Sequence, residues 1–210
     1  MTRSPPPVAD RRAGAVTATL SRVPNFTGES VLGDIIADAQ LAATRAENKG
    51  RAVIAMTNPG GIRTDIESKG DGTVSYADVF ASQPFRNQLI TLSLTGAQIK
   101  AALEQQWTDE KRPRILQVSK GFGYAWDGAK PFGERVDAAS LKLDGAPIEP
   151  AKDYRVTINN YLALGGDGFA AFKVDGPKQT GVYDDEALFA YFQANSPIAP
   201  APPTRIARTN

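Results

Sequence analysis

The sequence contains neither cysteine nor histidine, and each absence excludes a class of chemistry. Without cysteine the chain can form no disulfide bond and offers no thiolate nucleophile. Histidine is the commonest metal ligand and the usual general base near neutral pH, so its absence excludes a catalytic zinc site and a Ser-His-Asp triad within this chain. Any hydrolysis by this chain alone would therefore need a site built from carboxylates or lysines.

The chain also lacks an excess of charge and long apolar runs. Its 24 basic and 23 acidic residues leave a formal net charge of +1, which gives no reason to expect a nucleic acid polymer as a partner. No apolar run approaches the length of a membrane span. The N-terminal M-T-R-S-P-P-P-V-A-D-R-R has no apolar core, so it is not a signal peptide. We interpret residues 1–13 as a linker or the edge of a segment cut from a longer chain.

Strand and helix patterns are interspersed between residues 14 and 196, which we interpret as one domain. The predicted strands are residues 14–22, 52–57, 73–74, 88–94, 115–119, 122–126, 139–143 and 154–159. Helices are predicted after the caps Ser30, Ser75, Thr95 and Asp184 or Asp185. Because these elements do not alternate regularly and Asp144-Gly145 indicates a hairpin, we predict an α+β fold with a mixed β-sheet and flanking helices.

Two features lie outside this pattern. Residues 197–210 form a Pro-rich segment with a possible edge strand at 205–208. In the first predicted helix Asp34 and Asp38 lie one turn apart. They could form a carboxylate pair, but this spacing is usual for a solvated face or a cap contact.

A stretch near residue 165 combines a sharp turn with a carboxylate. The predicted strand 154–159 is followed by Tyr161 and then by G-G-D-G, in which Asp167 is flanked by glycines. Glycine lets the backbone turn sharply and approach a ligand closely. An aromatic face that stacks on a flat ring, beside an acid that accepts hydrogen bonds from hydroxyls, suits a nucleoside. The alternative is a tight turn with Tyr161 in the core.

Two earlier loops carry complementary residues. N-P-G-G-I-R at 58–63 follows a predicted strand, and P-F-R-N at 84–87 follows a predicted short helix. Phe85 supplies a second aromatic face, and stacking of a base on such a face contributes about 1–3 kcal/mol. Arg63 offers a planar fork for a phosphate or a base edge, and Asn58 offers an amide. The glycines expected to let the loop backbones approach a ligand are Gly60, Gly61, Gly165, Gly166 and Gly168.

These motifs, in this order, resemble the C-terminal domain of the 5′-nucleotidase/UDP-sugar hydrolase family. The resemblance covers nearly the whole chain. It lies in G-E-S-V-L-G-D-I-I-A-D-A (28–39), N-P-G-G-I-R (58–63), S-Y-A-D-V-F-A-S-Q-P-F-R-N (75–87), L-S-L-T-G-A-Q-I-K-A-A-L-E (92–104), I-L-Q-V-S (115–119) and N-N-Y-L-A-L-G-G-D-G-F (159–169).

The resemblance implies a substrate-binding role. By it, Phe85 and Tyr161 match the aromatics that clamp the nucleobase, and Asp167 matches the acid that binds the ribose hydroxyls. Asn58 matches the amide near the base, and Arg63 matches the arginine on the phosphate side. Catalysis would belong to a separate N-terminal metallophosphatase domain with two divalent metal ions. This chain alone is then expected to be inactive and without a cofactor, and the whole protein is expected to be periplasmic or extracellular.

Three positions depart from the family pattern. Pro59 stands where glycine is often found, which stiffens the loop, and Tyr161 stands where phenylalanine is frequent, which adds a hydroxyl. Gly28 is the nearest equivalent of an arginine that reaches phosphate in some members.

Three functions remain open from the sequence. The first is the substrate-specificity domain of a bacterial 5′-nucleotidase-type hydrolase. The second is a stand-alone, non-catalytic module that binds a nucleoside or a nucleotide sugar. The third is an interaction domain whose pocket is blocked by its own side chains.

Overall fold

The computed structural model describes residues 8–210 and contains three β-sheets with helices packed against them. The strands are β1 (Arg12–Ala15), β2 (Ile54–Thr57), β3 (Thr73–Ser75), β4 (Gln88–Thr95), β5 (Gln117–Val118), β6 (Phe122–Trp126), β7 (Lys142–Leu143), β8 (Ala146–Pro147), β9 (Asp153–Asn159), β10 (Gln179–Tyr183) and β11 (Ile206–Arg208). The helices are α1 (Val31–Thr44), α2 (Tyr76–Ser82), α3 (Gly96–Glu104), α4 (Asn160–Ala163) and α5 (Asp184–Asn195).

The largest sheet is mixed and has the strand order β10-β4-β9-β2-β5. Strands β2 and β9 run parallel, whereas β4 is antiparallel to β9 and β5 is antiparallel to β2. A second sheet has the order β11-β6-β7-β8, and β1 pairs with β3. The predicted α+β class with a mixed sheet and flanking helices is therefore confirmed.

The two faces of β9 differ in chemistry because successive side chains alternate across a strand. Val156 and Ile158 are fully buried in a core that also contains Trp107 and residues of α3. On the opposite face the Thr157 hydroxyl lies 2.8 Å from that of Thr44, at the end of α1, and 2.7 Å from that of Thr91 on β4. A second core joins α1, α2 and α5 with β1 and β3.

The predicted caps account for most helix starts. Ser30 accepts a hydrogen bond from the Gly33 backbone at 3.1 Å, which caps α1. Thr95 and Gln98 form the predicted capping box at the start of α3. The predicted cap of the last helix was wrong: the N-cap of α5 is Tyr183, whose side chain makes no capping bond, and Asp184 is the first helical residue.

Within the described residues, strands occur in both terminal segments. Residues 1–7 lie outside the described part of the chain, but β1 begins at Arg12, inside the segment interpreted as linker. The sequence R-A-G-A has no β-branched residue, so propensity gives little sign of this strand. Farther on, Ile198 forms a bridge with Val16, and Ile206–Arg208 pair with β6 at the edge of the second sheet.

Asp34 and Asp38 do not form a solvated face, so that interpretation was wrong. Their side chains are mostly buried beneath Arg205, whose guanidinium donates to both carboxylate oxygens of Asp38 at 2.7 and 2.9 Å. The same guanidinium lies 3.5 Å from Asp34. Glu29, on the adjoining loop, accepts hydrogen bonds from the backbone of Arg205 and of Ile206. These acidic side chains therefore fasten the C-terminal strand to α1.

Candidate functional site

The directions of the strands bring the three predicted loops to the same end of the strands in the largest sheet, where β2 and β9 finish and β4 begins. Since β2 and β9 are parallel, the residues that follow them, Asn58 and Asn160, leave the sheet at the same edge. Strand β4 is antiparallel to β9, with Leu89 opposite Asn159, so the loop that precedes β4 reaches this edge as well. The loops containing residues 58–63, 84–87 and 160–168 therefore converge.

A cavity of about 570 Å³ lies between these loops. All five side chains predicted for the site line it, and no core cluster includes them. The cavity is open rather than filled by side chains, which counts against a blocked pocket. Its lining residues are Asn58, Gly60, Gly61, Arg63, Phe85, Asn87, Tyr161 and Asp167.

The two aromatic rings of the cavity are exposed. Phe85 is 56% exposed and Tyr161 is 45% exposed, so the prediction that Tyr161 could instead lie in the core is wrong. The Arg63 guanidinium carbon lies 5.9 Å from the centre of the Phe85 ring, a distance that allows a cation–π contact. Because each ring is about half exposed beside the cavity, each offers apolar surface to a ligand.

The Asp167 carboxylate is held by three neighbouring side chains. Asn58 donates from Nδ2 to Oδ2 at 2.8 Å, and the Tyr161 hydroxyl donates to Oδ1 at 3.0 Å. The Arg114 guanidinium lies 3.6 Å from Oδ1. Asn58 is itself oriented by Asn159, which donates to its Oδ1 at 3.0 Å. The carboxylate is thus fixed in position at the end of β2 and β9.

Glycine is needed in the loop that presents Asp167. Gly165 has φ = 81° and Gly168 has φ = 88°, so both adopt the left-handed backbone that glycine favours, as suits the predicted sharp turn. Asp167 itself has φ = 57°, a conformation that Asp adopts more readily than most residues. Gly166 is required for a different reason, because a Cβ there would lie 2.5 Å from the Tyr161 ring. Gly60 is not restricted in this way, since a Cβ there would make only ordinary contacts with Asn58 and Asp167, at 3.4 and 3.6 Å.

Two polar residues of the site were missed from the sequence. Asn87 lines the cavity and donates from Nδ2 to Asp184 at 3.1 Å, while burial raises the pKa of that carboxyl to about 6. Asn87 could have been predicted as a site residue, because it lies in the same loop as Phe85 and directly before a predicted strand. Arg114 gave no signal, because its contact with Asp167 joins segments that are 53 residues apart in the sequence.

The described residues contain no candidate metal centre. Over residues 8–210, no group of three or more His, Cys, Asp or Glu side chains is placed to hold a metal ion. In the same range, no helix has both the length and the apolar content that crossing a membrane requires.

A model of the C-terminal domain of 5′-nucleotidases matches residues 9–174, which is most of the chain. The chain belongs to this family. It is 38% identical over 151 residues to a cell wall protein of Listeria monocytogenes, a match that covers 69% of this chain and 19% of that protein. It is 37% identical over 150 residues to a trifunctional nucleotide phosphoesterase of Bacillus subtilis, covering 70% of this chain and 10% of the relative.

A solved structure shows the same fold as this 5′-nucleotidase C-terminal domain. The crystal structure of a 5′-nucleotidase precursor from Thermus thermophilus superposes with a TM-score of 0.81 and 30% identity, over 97% of this chain and 40% of that one. The chain spans less than half of this structure and a fifth or less of the two relatives above.

Proposed function

We propose that this domain binds the nucleoside part of a nucleotide and presents it for hydrolysis of its phosphate ester. The observation that carries the proposal is the cavity itself, in which two exposed aromatic rings, a fixed carboxylate and an arginine face one space. The base stacks between Phe85 and Tyr161, because both rings are free of the core. Asp167 accepts hydrogen bonds from the sugar.

The remaining polar residues have distinct roles in this proposal. Arg63 directs the phosphate side of the ligand, since its guanidinium is exposed at the cavity. Asn58 acts mainly by orienting Asp167, because its amide already contacts Asp167 and Asn159. Asn87 offers a further amide to the ligand, held by Asp184.

Catalysis belongs to a separate domain in this proposal. A metallophosphatase domain with two divalent ions would activate the water that attacks the phosphorus. The relatives support such an arrangement, since one is a nucleotide phosphoesterase much longer than this chain. They also support a periplasmic or extracellular location, since another is a cell wall protein.

The test of the proposal is a calorimetric titration of the chain with adenosine and with uridine. We expect saturable binding of at least one nucleoside at one site. Replacing Phe85 by Ala should weaken that binding by about 1–3 kcal/mol, the contribution of a stacking face. The matched control is Phe132→Ala, since Phe132 is 51% exposed but lies outside the cavity. Equal affinity in both variants, or no binding of either nucleoside, would reject the proposal.

The second candidate is a stand-alone module that binds a nucleoside or a nucleotide sugar without catalysis. The same cavity supports it, since the aromatic rings and the carboxylate suit a nucleoside whether or not a catalytic domain is attached. Both functions predict that the purified chain releases no phosphate from nucleotides in the presence of manganese or zinc. They differ in the full gene product, where only the first predicts metal-dependent phosphate release that a chelator abolishes. Turnover by the purified chain alone would contradict both.

A further inference from the structure

The loop that carries Phe85 has an unusual backbone conformation at its next residue. Arg86 has φ = 52°, in the left-handed region that glycine adopts freely and that costs free energy for a residue with a Cβ. Such a conformation persists only where the surrounding contacts hold it, and it is found most often at ligand sites. The contacts that hold Arg86 therefore also fix the direction in which the chain leaves Phe85.

The Arg86 side chain lies over the start of α5. Its guanidinium carbon is 4.4 Å from the centre of the Tyr183 ring, a close cation–π contact. The same group donates from Nη2 to Glu186 at 3.2 Å, and its Nε lies 4.0 Å from Oδ1 of Asp185. Asp185 is fully buried, and within residues 8–210 its Oδ1 has no hydrogen-bond partner. The guanidinium thus compensates a buried negative charge, which makes this contact more than an exposed ion pair.

The residue after Arg86 makes a second attachment to the same helix. Asn87 donates from Nδ2 to the Asp184 side chain at 3.1 Å, and its backbone oxygen accepts from the Asp184 N–H at 2.9 Å. Phe85, in contrast, is 56% exposed and belongs to neither hydrophobic core. The position of its ring therefore depends on how Arg86 and Asn87 anchor the loop, because core packing does not hold it.

We infer that Arg86 is a positioning residue for nucleoside binding, which holds Phe85 at the cavity by anchoring its loop to α5. The inference rests on the proposed function, because it concerns one wall of the base site, although Arg86 itself does not line the cavity. A ring that is already fixed need not be ordered when a base stacks on it, so the anchored loop binds more tightly. Fixing one residue in a single conformation changes an equilibrium constant by about tenfold.

The main variant is Arg86→Gly, because glycine adopts the left-handed conformation without strain while the guanidinium is lost. In calorimetry it should bind adenosine or uridine about tenfold more weakly than the unmodified chain does. The matched control is Arg51→Gly, since Arg51 has φ = 56° and pairs with Glu47 outside the cavity. The control relieves the same kind of backbone strain and should leave the affinity unchanged. Urea denaturation of each variant ensures that folded chains are compared.

Two further variants show whether Arg86 acts through Phe85. When Arg86→Gly is added to Phe85→Ala, the affinity should change less than threefold, because the ring that Arg86 holds is already absent. A general loss of structure would instead lower the affinity in both backgrounds. Tyr183→Leu removes the ring beneath the guanidinium and leaves the loop sequence intact, so it should also weaken binding, by threefold or more.

The outcomes separate this inference from the proposed function. The inference alone is overturned if Arg86→Gly binds within threefold of the unmodified chain, or if Tyr183→Leu leaves the affinity unchanged. It is also overturned if Arg86→Gly costs tenfold in the Phe85→Ala background, since Arg86 would then act independently of that ring. Absence of binding of either nucleoside by the unmodified chain overturns the proposed function and this inference with it.

Discussion

At Gly166, the absence of a Cβ atom lets the Tyr161 ring lie against the backbone beside the cavity. A side chain at this position would meet the Tyr161 ring, because an added Cβ lies 2.5 Å from the nearest of its ring atoms. The ring also forms one wall of the proposed clamp. A substitution at Gly166 therefore acts on the ligand through the displaced ring.

We predict that Gly166→Ala reduces the magnitude of the free energy of nucleoside binding by more than it lowers the free energy of unfolding. Overpacking of this kind costs about 1–3 kcal/mol when the neighbour cannot yield, and less when an exposed ring can swing away. Urea denaturation and calorimetry measure the two effects separately. The control is Gly181→Ala in β10, where an added Cβ meets Leu89 at an ordinary 3.5 Å. An unchanged affinity of Gly166→Ala for the nucleoside would show that binding does not depend on the position of the Tyr161 ring.

At the residue scale, sequence motifs predicted which side chains lie together better than how those side chains contact one another. The five candidate side chains line one space, as their shared motifs indicated. The contact between the Tyr161 hydroxyl and Asp167 was not predicted, because it depends on the left-handed backbone between them. The approach of Arg114 depends on tertiary packing, which local sequence does not encode.

At the scale of elements, the attachment of β11 to α1 places several ionisable side chains together in a mostly buried contact. Arg205 sits over Asp34 and Asp38, and Oδ1 of Asp34 is buried without a hydrogen-bond partner. Burial raises the pKa of Asp34 from 3.8 to about 8, with Glu29 and Asp38 adding to the rise and Arg205 opposing it. The folded chain therefore binds a proton there that the unfolded chain has already lost near neutral pH.

This proton links stability to pH with a definite sign. A carboxyl whose pKa is raised on folding stabilises the folded state at low pH. The contribution of Asp34 to the free energy of unfolding is therefore complete below about pH 4 and is lost as pH rises to about 8. Asp184, with its pKa near 6, acts in the same direction at lower pH. Between pH 6.5 and 8, the free energy of unfolding should fall by up to about 1.4 kcal/mol per pH unit.

The variant Asp34→Asn should flatten this slope, because the amide resembles the protonated acid at every pH. Urea denaturation at several pH values measures the slope, with the exposed Asp175→Asn as a control. If the free energy of unfolding of Asp34→Asn depended on pH as steeply as that of the unmodified chain, Asp34 would not be the group whose protonation causes the pH dependence.

Elements with clear periodicity or caps were predicted, and those without them were not. The start of α1 at Ser30 and the capping box of α3 are local signals, so sequence was sufficient. Strand β10 was missed because Q-T-G-V-Y lies at a sheet edge and is largely exposed, so no apolar alternation marks it. Helix α4 was missed because four residues are too few to show a helical period.

At the scale of the whole molecule, the sheet topology explains why distant loops share one site. The parallel pairing of β2 with β9 and the antiparallel pairing of β4 place residues 58–63, 84–87 and 160–168 at one edge. Composition and periodicity predicted the mixed sheet but not its strand order. The grouping of these loops came instead from the resemblance of their motifs to a known domain.

The most direct measurement of the central claim is a crystal structure of the chain with a bound nucleoside. We predict the base between Phe85 and Tyr161, with the two ring planes roughly parallel and about 7 Å apart, twice the ordinary carbon contact distance. A sugar hydroxyl should lie within hydrogen-bond distance of Asp167, and the 5′ end should point towards Arg63. A base bound outside this cavity, or one that contacts neither aromatic ring, would contradict the account.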